Sequence, residues 1–291
     1  GEERRGEEYV VVVILSSSSC FFWMGRLRVG FGLLLARGWS IARRGTAGRR
    51  GMSWRSHGKD NASLVEALRG NEILRSASVA NAMLLVDRGL YCTKDGGRAY
   101  VDAPQAIGAA ATISAPHMHA YCLELMRDHL KPGARCLDVG SGSGYLTAIM
   151  AHMVDGGGVG GRRGKATGIE HIPELVEESR RNARRDPKTA PLLESGALEL
   201  LVGDGRLGHA VGGPYDCIHV GAAASEVPAA LTEQLAEGGR LVVPVGQEGE
   251  TQNLCVIDRK GDGSLATEEV MRVVYVPLCS KSHQLDKRRW M

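Results

Sequence analysis

The 291-residue sequence contains no C-x-x-C pair, although it has seven cysteines. This absence excludes the common zinc-ribbon pattern, and the wide scatter of the cysteines does not match a small secreted disulfide scaffold. Several cysteines stand inside apolar runs, where they behave as small buried hydrophobic residues. A reducing compartment fits this usage, and we expect the folded part of the chain in the cytoplasm.

Long hydrophobic runs and a large excess of one charge are also missing. Hydrophobic residues make up 43% of the chain and charged residues 24%, as in globular proteins, and no apolar run is long enough to span a bilayer. The net charge of +3 comes from residues 1–51, where nine arginines face four glutamates, so residues 52–291 carry −2. We therefore expect neither a nucleic-acid footprint nor stable membrane association.

The first 51 residues differ in composition from the remainder. From Tyr9 to Gly51 there are seven arginines and no acidic residue, as is typical of an organelle transit peptide. The alternative interpretation is a non-native leader before an internal start at Met52. In either case we expect an extension, disordered by itself, in front of one domain over residues 52–291.

The body of the chain shows helical periodicity first and then an alternation of strands and helices. Apolar spacing predicts helices at 61–69 and 78–86, with Ser78 as a cap, and Pro116 opens a third helix that reaches about residue 130. Residues 91–110 are rich in turn signals. The later predicted strands are 135–139, 165–170, 197–202, 215–220, 240–245, 253–258 and 270–276, with helices at 145–153, 173–185 and 227–236. This alternation indicates a parallel sheet with an antiparallel end, and the glycine-rich segment 155–164 is predicted to be a surface insertion.

A glycine-rich loop, residues 138–144, joins the first of these strands to a helix. Glycines let the backbone turn tightly beside a ligand, and a helix start offers free N–H groups. A dinucleotide fingerprint would need G-x-G-x-x-G, but Tyr145 stands where its third glycine belongs. The loop therefore favours a nucleotide-like ligand other than a dinucleotide.

Two acidic residues narrow the ligand further. Glu170 ends the second strand, where a carboxylate can accept from both ribose hydroxyls, and Asp204 follows the third, where it can accept from an adenine amino group. Gly205 leaves space beside it. Together with the loop, this pattern resembles class I methyltransferases. The fourth strand is followed by small neutral residues and lacks the Asn/Asp-Pro-Pro-aromatic motif of enzymes that methylate nucleic-acid amino groups.

The segment 111–120, ATISAPHMHA, is more specific. With segments 102–108, 203–206, 218–224, 238–246 and 275–278, it resembles the protein-L-isoaspartate (D-aspartate) O-methyltransferase family, from about residue 52 to the C-terminus. The resemblance implies an α/β, Rossmann-like class I methyltransferase fold, with a mostly parallel seven-stranded sheet, helices on both faces and an N-terminal helical subdomain. Residues 52–133 would form the helical, substrate-binding part, and residues 134–291 the cofactor-binding sheet.

The resemblance also implies residue roles. Ser114 would be the catalytic hydroxyl, and we also expect it to cap the following helix. Cys279 stands where the family usually has threonine. The implied cofactor contacts are Ala111, Thr112, Ile113, Ser114, His119, Asp138, Gly140, Ser141, Gly142, Glu170, His171, Asp204, Gly205, Cys279 and Gln284. The implied substrate contacts are Ile113, Ser114, His219, Val220 and Val276.

The implied reaction transfers a methyl group from S-adenosyl-L-methionine to the α-carboxylate of L-isoaspartyl, and also D-aspartyl, residues in damaged proteins, leaving S-adenosyl-L-homocysteine. The ester would close to a succinimide and hydrolyse partly to normal aspartyl, which repairs the protein. Since a carboxylate is ionised at neutral pH, no general base is required. The expected partners are isoaspartyl peptides, and we expect a monomer.

Other interpretations remain open at this point. The chain could methylate another carboxylate or a small molecule, or it could be a non-catalytic scaffold that binds the cofactor. His117 and His119 form an H-x-H pair, but no third ligand stands at metal-binding spacing, so we expect no metal.

Overall fold

The computed structural model of the protein describes residues 56–92, 98–156 and 163–287. The extension 1–51 and most of the glycine-rich segment 155–164 lie outside these ranges, together with the predictions made for them. Within the described ranges, no helix combines the length and the apolar character needed to cross a bilayer.

Two helices open the described chain, α1 (Asn61–Gly70) and α2 (Ala77–Leu85). Asp60 caps α1, because its carboxylate accepts from the Ser63 backbone N–H while the Ser63 side chain reaches back. The predicted cap of α2 at Ser78 is wrong, since the helix begins two residues earlier, after Ser76. The Ser76 hydroxyl donates to the Glu124 carboxylate at 2.5 Å, and this contact joins the start of α2 to the later helix that contains Glu124.

A tight hairpin follows, in the stretch where the sequence predicts only turns. Strands β1 (Gln105–Gly108) and β2 (Ala111–Ile113) pair antiparallel. The connecting Ala109 and Ala110 have φ values of 49° and 56°, the left-handed conformation of a two-residue hairpin turn. Neither turn position is glycine or asparagine, although Gly108 stands directly before them, so the hairpin was not predicted.

Helix α3 (Pro116–Met126) begins immediately after the hairpin. Its N-cap is Ala115, not Ser114, so the predicted capping role of Ser114 is wrong. Pro116 occupies the first helical turn and keeps Ala115 extended, which places the helix start one residue too late for Ser114 to cap it. The Ser114 side chain is therefore left for other contacts.

The remaining elements build the sheet. They are β3 (Arg135–Val139), α4 (Tyr145–Val154), β4 (Lys165–Glu170), α5 (Pro173–Arg185), α6 (Ala190–Ser195), β5 (Leu198–Val202), β6 (Tyr215–Val220), α7 (Ala229–Glu233), β7 (Leu235–Val245), β8 (Gln252–Arg259), β9 (Leu265–Val273) and α8 (Lys281–Lys287). The strand order is β5-β4-β3-β6-β7-β8-β9, parallel up to β7 and antiparallel for the last two pairs. The predicted mostly parallel seven-stranded sheet is confirmed.

Several predicted boundaries move, among them the end of the third helix, which lies at Met126 and not near residue 130. The helix expected at 227–236 shortens to α7, because β7 already begins at Leu235. The last strand lies at Leu265–Val273, earlier than the predicted 270–276. After it, the Tyr275 backbone N–H donates to the Gln252 side chain at 2.8 Å, so the chain leaves the sheet and turns towards the strand ends.

The hydrophobic core lies on both faces of the sheet. Alternate strand residues belong to two separate clusters, with Cys136 in one and Leu137 in the other. Apolar residues of α1 to α6 pack in the first cluster, and Leu231 of α7 packs in the second. The N-terminal helices share the first cluster with the sheet, and a division at residue 133 stays a prediction.

The strand order reverses at β3, which has β4 on one side and β6 on the other. In open α/β sheets, ligands bind in the crevice at the carboxyl ends of the strands at such a reversal. The fold therefore indicates a ligand site at the carboxyl ends of β3, β4 and β6.

Candidate active site

A cavity of about 340 Å³ opens at the carboxyl ends of β3, β4 and β6. The sheet contributes Gly140 and Glu170, the hairpin contributes Thr112, and Ser114 lies beside them. A smaller space of about 30 Å³ adjoins it and shares Thr112, Ser114 and Gly140 with it. Residues from the hairpin, the glycine-rich loop and the strand ends thus converge on one site.

The glycine-rich loop leaves room for a ligand. Gly140 has a φ of 76°, and a Cβ added there would meet no atom within 4 Å, because it would project into open space. This left-handed conformation favours glycine, so the residue provides both the turn and the room for close approach. The loop therefore fits a cofactor that lies directly against its backbone.

Two backbone N–H groups hold the Glu170 carboxylate in place. Its Oε2 accepts from the Gly142 N–H at 3.3 Å, and its Oε1 accepts from the Ile172 N–H at 3.1 Å. The side chain lines the cavity although the residue is only 7% exposed. Each carboxylate oxygen has a second lone pair, so Glu170 can still accept from two hydroxyls of a bound ribose.

His171 and Gln284 close one side of the cavity. His171 Nε2 lies 2.7 Å from Gln284 Oε1, and Gln284 Nε2 donates to the Ala109 carbonyl at 2.8 Å. Because the amide oxygen can only accept, His171 carries a proton on Nε2 in this pairing. The C-terminal helix α8 is thereby joined to both the end of β4 and the hairpin turn.

Below the loop, Asp138 is held between two side chains. Its Oδ2 accepts from the Thr147 hydroxyl at 2.6 Å, and its Oδ1 lies 2.8 Å from His219 Nδ1. Burial alone would lower the pKa of His219, but its hydrogen bonds to Asp138 and Cys122 raise that pKa to about 10. Asp138 therefore braces the loop and balances a buried imidazolium.

Ser114 makes contacts that a capping serine would not make. Its side chain lies close to the hydroxyl of Tyr275, which is also near the thiol of Cys122, and both Ser114 and Tyr275 line the cavity. Burial raises the pKa of Tyr275 well above its usual value, so the phenol stays protonated. The Ser114 carbonyl accepts from the Arg88 guanidinium at 2.9 Å. The backbone of Ser114 is thus held by Arg88, and its side chain faces the cavity beside Tyr275.

The two histidines of the H-x-H pair face different partners. His117 Nδ1 lies 2.7 Å from Asp102 Oδ1, in a fully buried contact. His119 lines the smaller space, and burial followed by the charge of Arg88 holds its pKa well below the usual value. His119 is therefore a neutral imidazole beside the glycine-rich loop.

These features coincide with the result of a sequence comparison. A model of the family described as protein-L-isoaspartate(D-aspartate) O-methyltransferase (PCMT) matches residues 59–283. The chain belongs to this family.

Curated relatives and a solved structure agree with the assignment to the PCMT family. The chain is 52% identical over 225 residues to protein-L-isoaspartate O-methyltransferase 1 of Arabidopsis thaliana, covering 77% of this chain and 94% of that protein. It is 48% identical over 236 residues to protein-L-isoaspartate O-methyltransferase of Caenorhabditis elegans, covering 81% and 100%. A Plasmodium falciparum crystal structure, described as a protein-L-isoaspartate O-methyltransferase in complex with S-adenosyl-L-homocysteine, matches with a TM-score of 0.68 and 37% identity. It covers 76% of this chain and 99% of that one, and the chain has the class I methyltransferase fold.

Most residues that the PCMT resemblance singles out meet at the cavity or the adjoining space. They are Ala111, Thr112, Ile113, Ser114, His119, Asp138, Gly140, Ser141, Gly142, Glu170, His171, Gly205, His219, Val276, Cys279 and Gln284. Burial raises the pKa of the Cys279 thiol, which therefore stays neutral where the family usually has threonine.

Two predicted contacts lie elsewhere among the described residues. Asp204 forms an ion pair with Arg206 and does not line the cavity. The hydrogen bond from the Arg206 side chain lowers the pKa of the Asp204 carboxyl. Val220 packs in the hydrophobic core, because successive residues of β6 face opposite sides and His219 takes the cavity side. In this arrangement neither side chain reaches the cavity.

Two residues at the site, Tyr275 and Arg88, are not predicted from the sequence. Tyr275 belongs to a family-like segment, but nothing in its pattern predicts a contact with Ser114, which depends on the chain leaving β9 early. Arg88 stands outside every motif, and an arginine after an apolar helix normally indicates a solvated helix end. Only the packed structure shows that it is buried beside Ser114.

Proposed function

We infer that this PCMT-family chain is an S-adenosyl-L-methionine-dependent protein carboxyl methyltransferase that methylates the α-carboxylate of L-isoaspartyl residues. One observation carries this conclusion: Ser114, within the family segment, lines the same cavity as Gly140 and Glu170. The acceptor side and the cofactor side of the reaction are therefore adjacent. D-aspartyl residues are a second proposed substrate.

The cofactor side is proposed from the residues that fit it. Glu170 would hold the ribose hydroxyls, and the open face at Gly140 would admit the backbone approach. His119 and Ser141 would lie at the methionine end, and His171 with Gln284 at the adenosine end. When bound, S-adenosyl-L-methionine supplies a methyl group on a positively charged sulfur.

The side chains of this chain position the acceptor and do not activate it. The acceptor carboxylate is already ionised at neutral pH, and Ser114 would donate a hydrogen bond to one of its oxygens. The Tyr275 hydroxyl lies beside the Ser114 side chain, and Arg88 donates a hydrogen bond to the Ser114 carbonyl. Correct positioning of reacting groups can lower a barrier by roughly 7–11 kcal/mol, which does not require a general base.

A pocket that excludes water lowers the barrier further, because attack of the acceptor carboxylate on the methyl group of the positively charged sulfur neutralises two opposite charges. The resulting ester would close to a succinimide, whose hydrolysis returns part of the product as normal aspartyl. The proposed partners are therefore aged proteins that carry isoaspartyl residues. We also propose that the chain acts as a monomer and that it acts in the cytoplasm, the alternative being an organelle to which residues 1–51 would target it.

The test uses two peptides that differ only in an isoaspartyl or an aspartyl linkage, incubated with methyl-labelled cofactor. We expect a base-labile methyl ester on the isoaspartyl peptide alone. Equal labelling of both peptides would refute the acceptor, and a base-stable product would indicate another class of methyltransferase. Cofactor binding without any transfer would indicate a non-catalytic scaffold.

A further inference from the structure

Arg88 is a fully buried arginine directly behind the site. It begins a single 3₁₀ turn after α2, and its Nε donates to the Ala99 carbonyl at 2.9 Å. One terminal nitrogen donates to the Ser114 carbonyl at 2.9 Å, and the guanidinium lies 5.3 Å from the centre of the Tyr145 ring. The side chain is thus fixed at three points.

The charge of Arg88 has no close counter-ion in the part of the chain that the structure describes. The adjacent Asp87 faces the other way, with its carboxylate accepting from the Gly89 N–H and the Tyr100 hydroxyl. No other carboxylate among the described residues lies within ion-pair distance of the guanidinium. A buried cation without such a partner is costly, so a purely structural role explains Arg88 poorly.

The second terminal nitrogen of Arg88 lies 3.4 Å from Nδ1 of His119. A guanidinium can only donate hydrogen bonds, so Nδ1 must be the acceptor. The proton of the neutral imidazole then stands on Nε2. Burial, and after it the charge of Arg88, lowers the pKa of His119, with His219 and His117 adding to the effect. The ring also packs 5.3 Å from Tyr145, which restricts its rotation.

We propose that Arg88 is a positioning residue for methyl transfer: it keeps His119 as a neutral donor through Nε2 and holds the backbone of Ser114. Both residues line the space beside the glycine-rich loop, so one buried cation contacts the His119 ring and the Ser114 backbone at the site. The part of this proposal that concerns methyl transfer rests on the proposed function. The part that concerns the histidine and the cofactor does not.

The first test is made on the unmodified chain. Protein labelled with ¹⁵N-histidine is studied by NMR, and His119→Gln identifies the His119 signals. We expect an unprotonated Nδ1 and a protonated Nε2 across neutral pH. A proton on Nδ1, or a charged ring, would overturn the proposal without any variant of Arg88.

The second test compares Arg88→Met and Arg88→Lys with the matched control Arg259→Met. Arg259 also donates to backbone carbonyls, those of Thr232, Glu233 and Leu235, but it lies in β8, outside the cavity lining. We expect Arg88→Met to mix the two His119 tautomers and to raise the dissociation constant of S-adenosyl-L-homocysteine roughly tenfold, the scale of one hydrogen bond to a charged group. Arg88→Lys keeps the charge and should restore the tautomer in part.

These measurements distinguish a positioning role of Arg88 from a general loss of stability, and they do not depend on the proposed methyl acceptor. If Arg88→Met and Arg259→Met show the same His119 tautomer and the same cofactor affinity, Arg88 is only structural and the proposal fails. Neither measurement uses an isoaspartyl peptide, so a failure of the proposed acceptor would leave both results interpretable. If the acceptor is correct, kcat should fall in Arg88→Met with little change in the peptide KM.

Discussion

The His219 imidazole and the Asp138 carboxylate meet at 2.8 Å beneath the glycine-rich loop, with both side chains buried. Because of this pair, we expect the free energy of unfolding to decrease as the pH becomes alkaline. The pKa of His219 rises from 6.5 to about 10 on folding, so its contribution is complete below pH 6.5 and is lost as the pH approaches 10.

We therefore expect the free energy of unfolding to decrease between pH 6.5 and pH 10 more steeply in the unmodified chain than in His219→Gln. One pKa unit corresponds to about 1.4 kcal/mol, so a difference of at least this size is expected over the range. Urea unfolding at several pH values measures it. Parallel stability curves for the two proteins would show that His219 is not charged in the fold.

Ser114→Ala should lower the rate of methyl transfer by roughly 10- to 100-fold, the scale of one lost hydrogen bond to a charge. Cofactor affinity should stay nearly unchanged, because the glycine-rich loop and Glu170 remain in place. Steady-state kinetics with an isoaspartyl peptide, and calorimetry with S-adenosyl-L-homocysteine, measure the two quantities. Ser195→Ala is the matched control, because the Ser195 hydroxyl donates to the Leu192 carbonyl in its own helix, outside the cavity lining. Unmodified turnover in Ser114→Ala would remove Ser114 from the mechanism.

The sequence predicted the strands of the parallel sheet well because each is a short apolar run bounded by turns. The ranges of β3, β4 and β6 agree with the structure to the residue. The hairpin could not be predicted in the same way, since Ala109 and Ala110 adopt a turn conformation that normally requires glycine or asparagine. Tertiary contacts, such as that of Gln284 with the Ala109 carbonyl, accompany this local conformation.

Some residues of the candidate site could be predicted from local sequence patterns and others could not. The glycine-rich loop and Glu170 could be read from local patterns, because their chemistry depends on where a strand ends. Asp204 met the same pattern, but its carboxylate pairs with Arg206 two residues later. Arg88 and Tyr275 depend on which distant segments pack against Ser114, and no local pattern carries that information.

Glu170→Gln should weaken cofactor binding more than it weakens folding. The amide keeps one acceptor oxygen but brings an NH₂ group towards either the ribose or the backbone N–H groups of Gly142 and Ile172. We expect the dissociation constant of S-adenosyl-L-homocysteine to rise roughly 10- to 100-fold, since a charged acceptor is lost. An unchanged constant would contradict the ribose-binding role of Glu170.

Asp102→Asn tests whether a buried carboxylate fixes the start of α3. Asp102 Oδ1 accepts from both the backbone N–H and the Nδ1 of His117, and an amide cannot satisfy all of its present partners. The expected loss of unfolding free energy is about 1–3 kcal/mol, as for a buried hydrogen-bonding group left without its partner. Chemical denaturation measures it, with Asp60→Asn as the control because asparagine also caps helices well. Equal stability of the two variants would argue against a special role of Asp102.

The most direct test of the proposed methyl acceptor locates the transferred methyl group within one peptide. The peptide contains an isoaspartyl residue, a normal aspartate, a glutamate and a free C-terminus, so that four classes of carboxylate compete for the same enzyme and cofactor. After brief incubation with methyl-labelled S-adenosyl-L-methionine, tandem mass spectrometry identifies the esterified group. We predict a methyl ester on the isoaspartyl α-carboxylate alone. A methyl group on the glutamate, the normal aspartate or the C-terminus at a comparable level would contradict it.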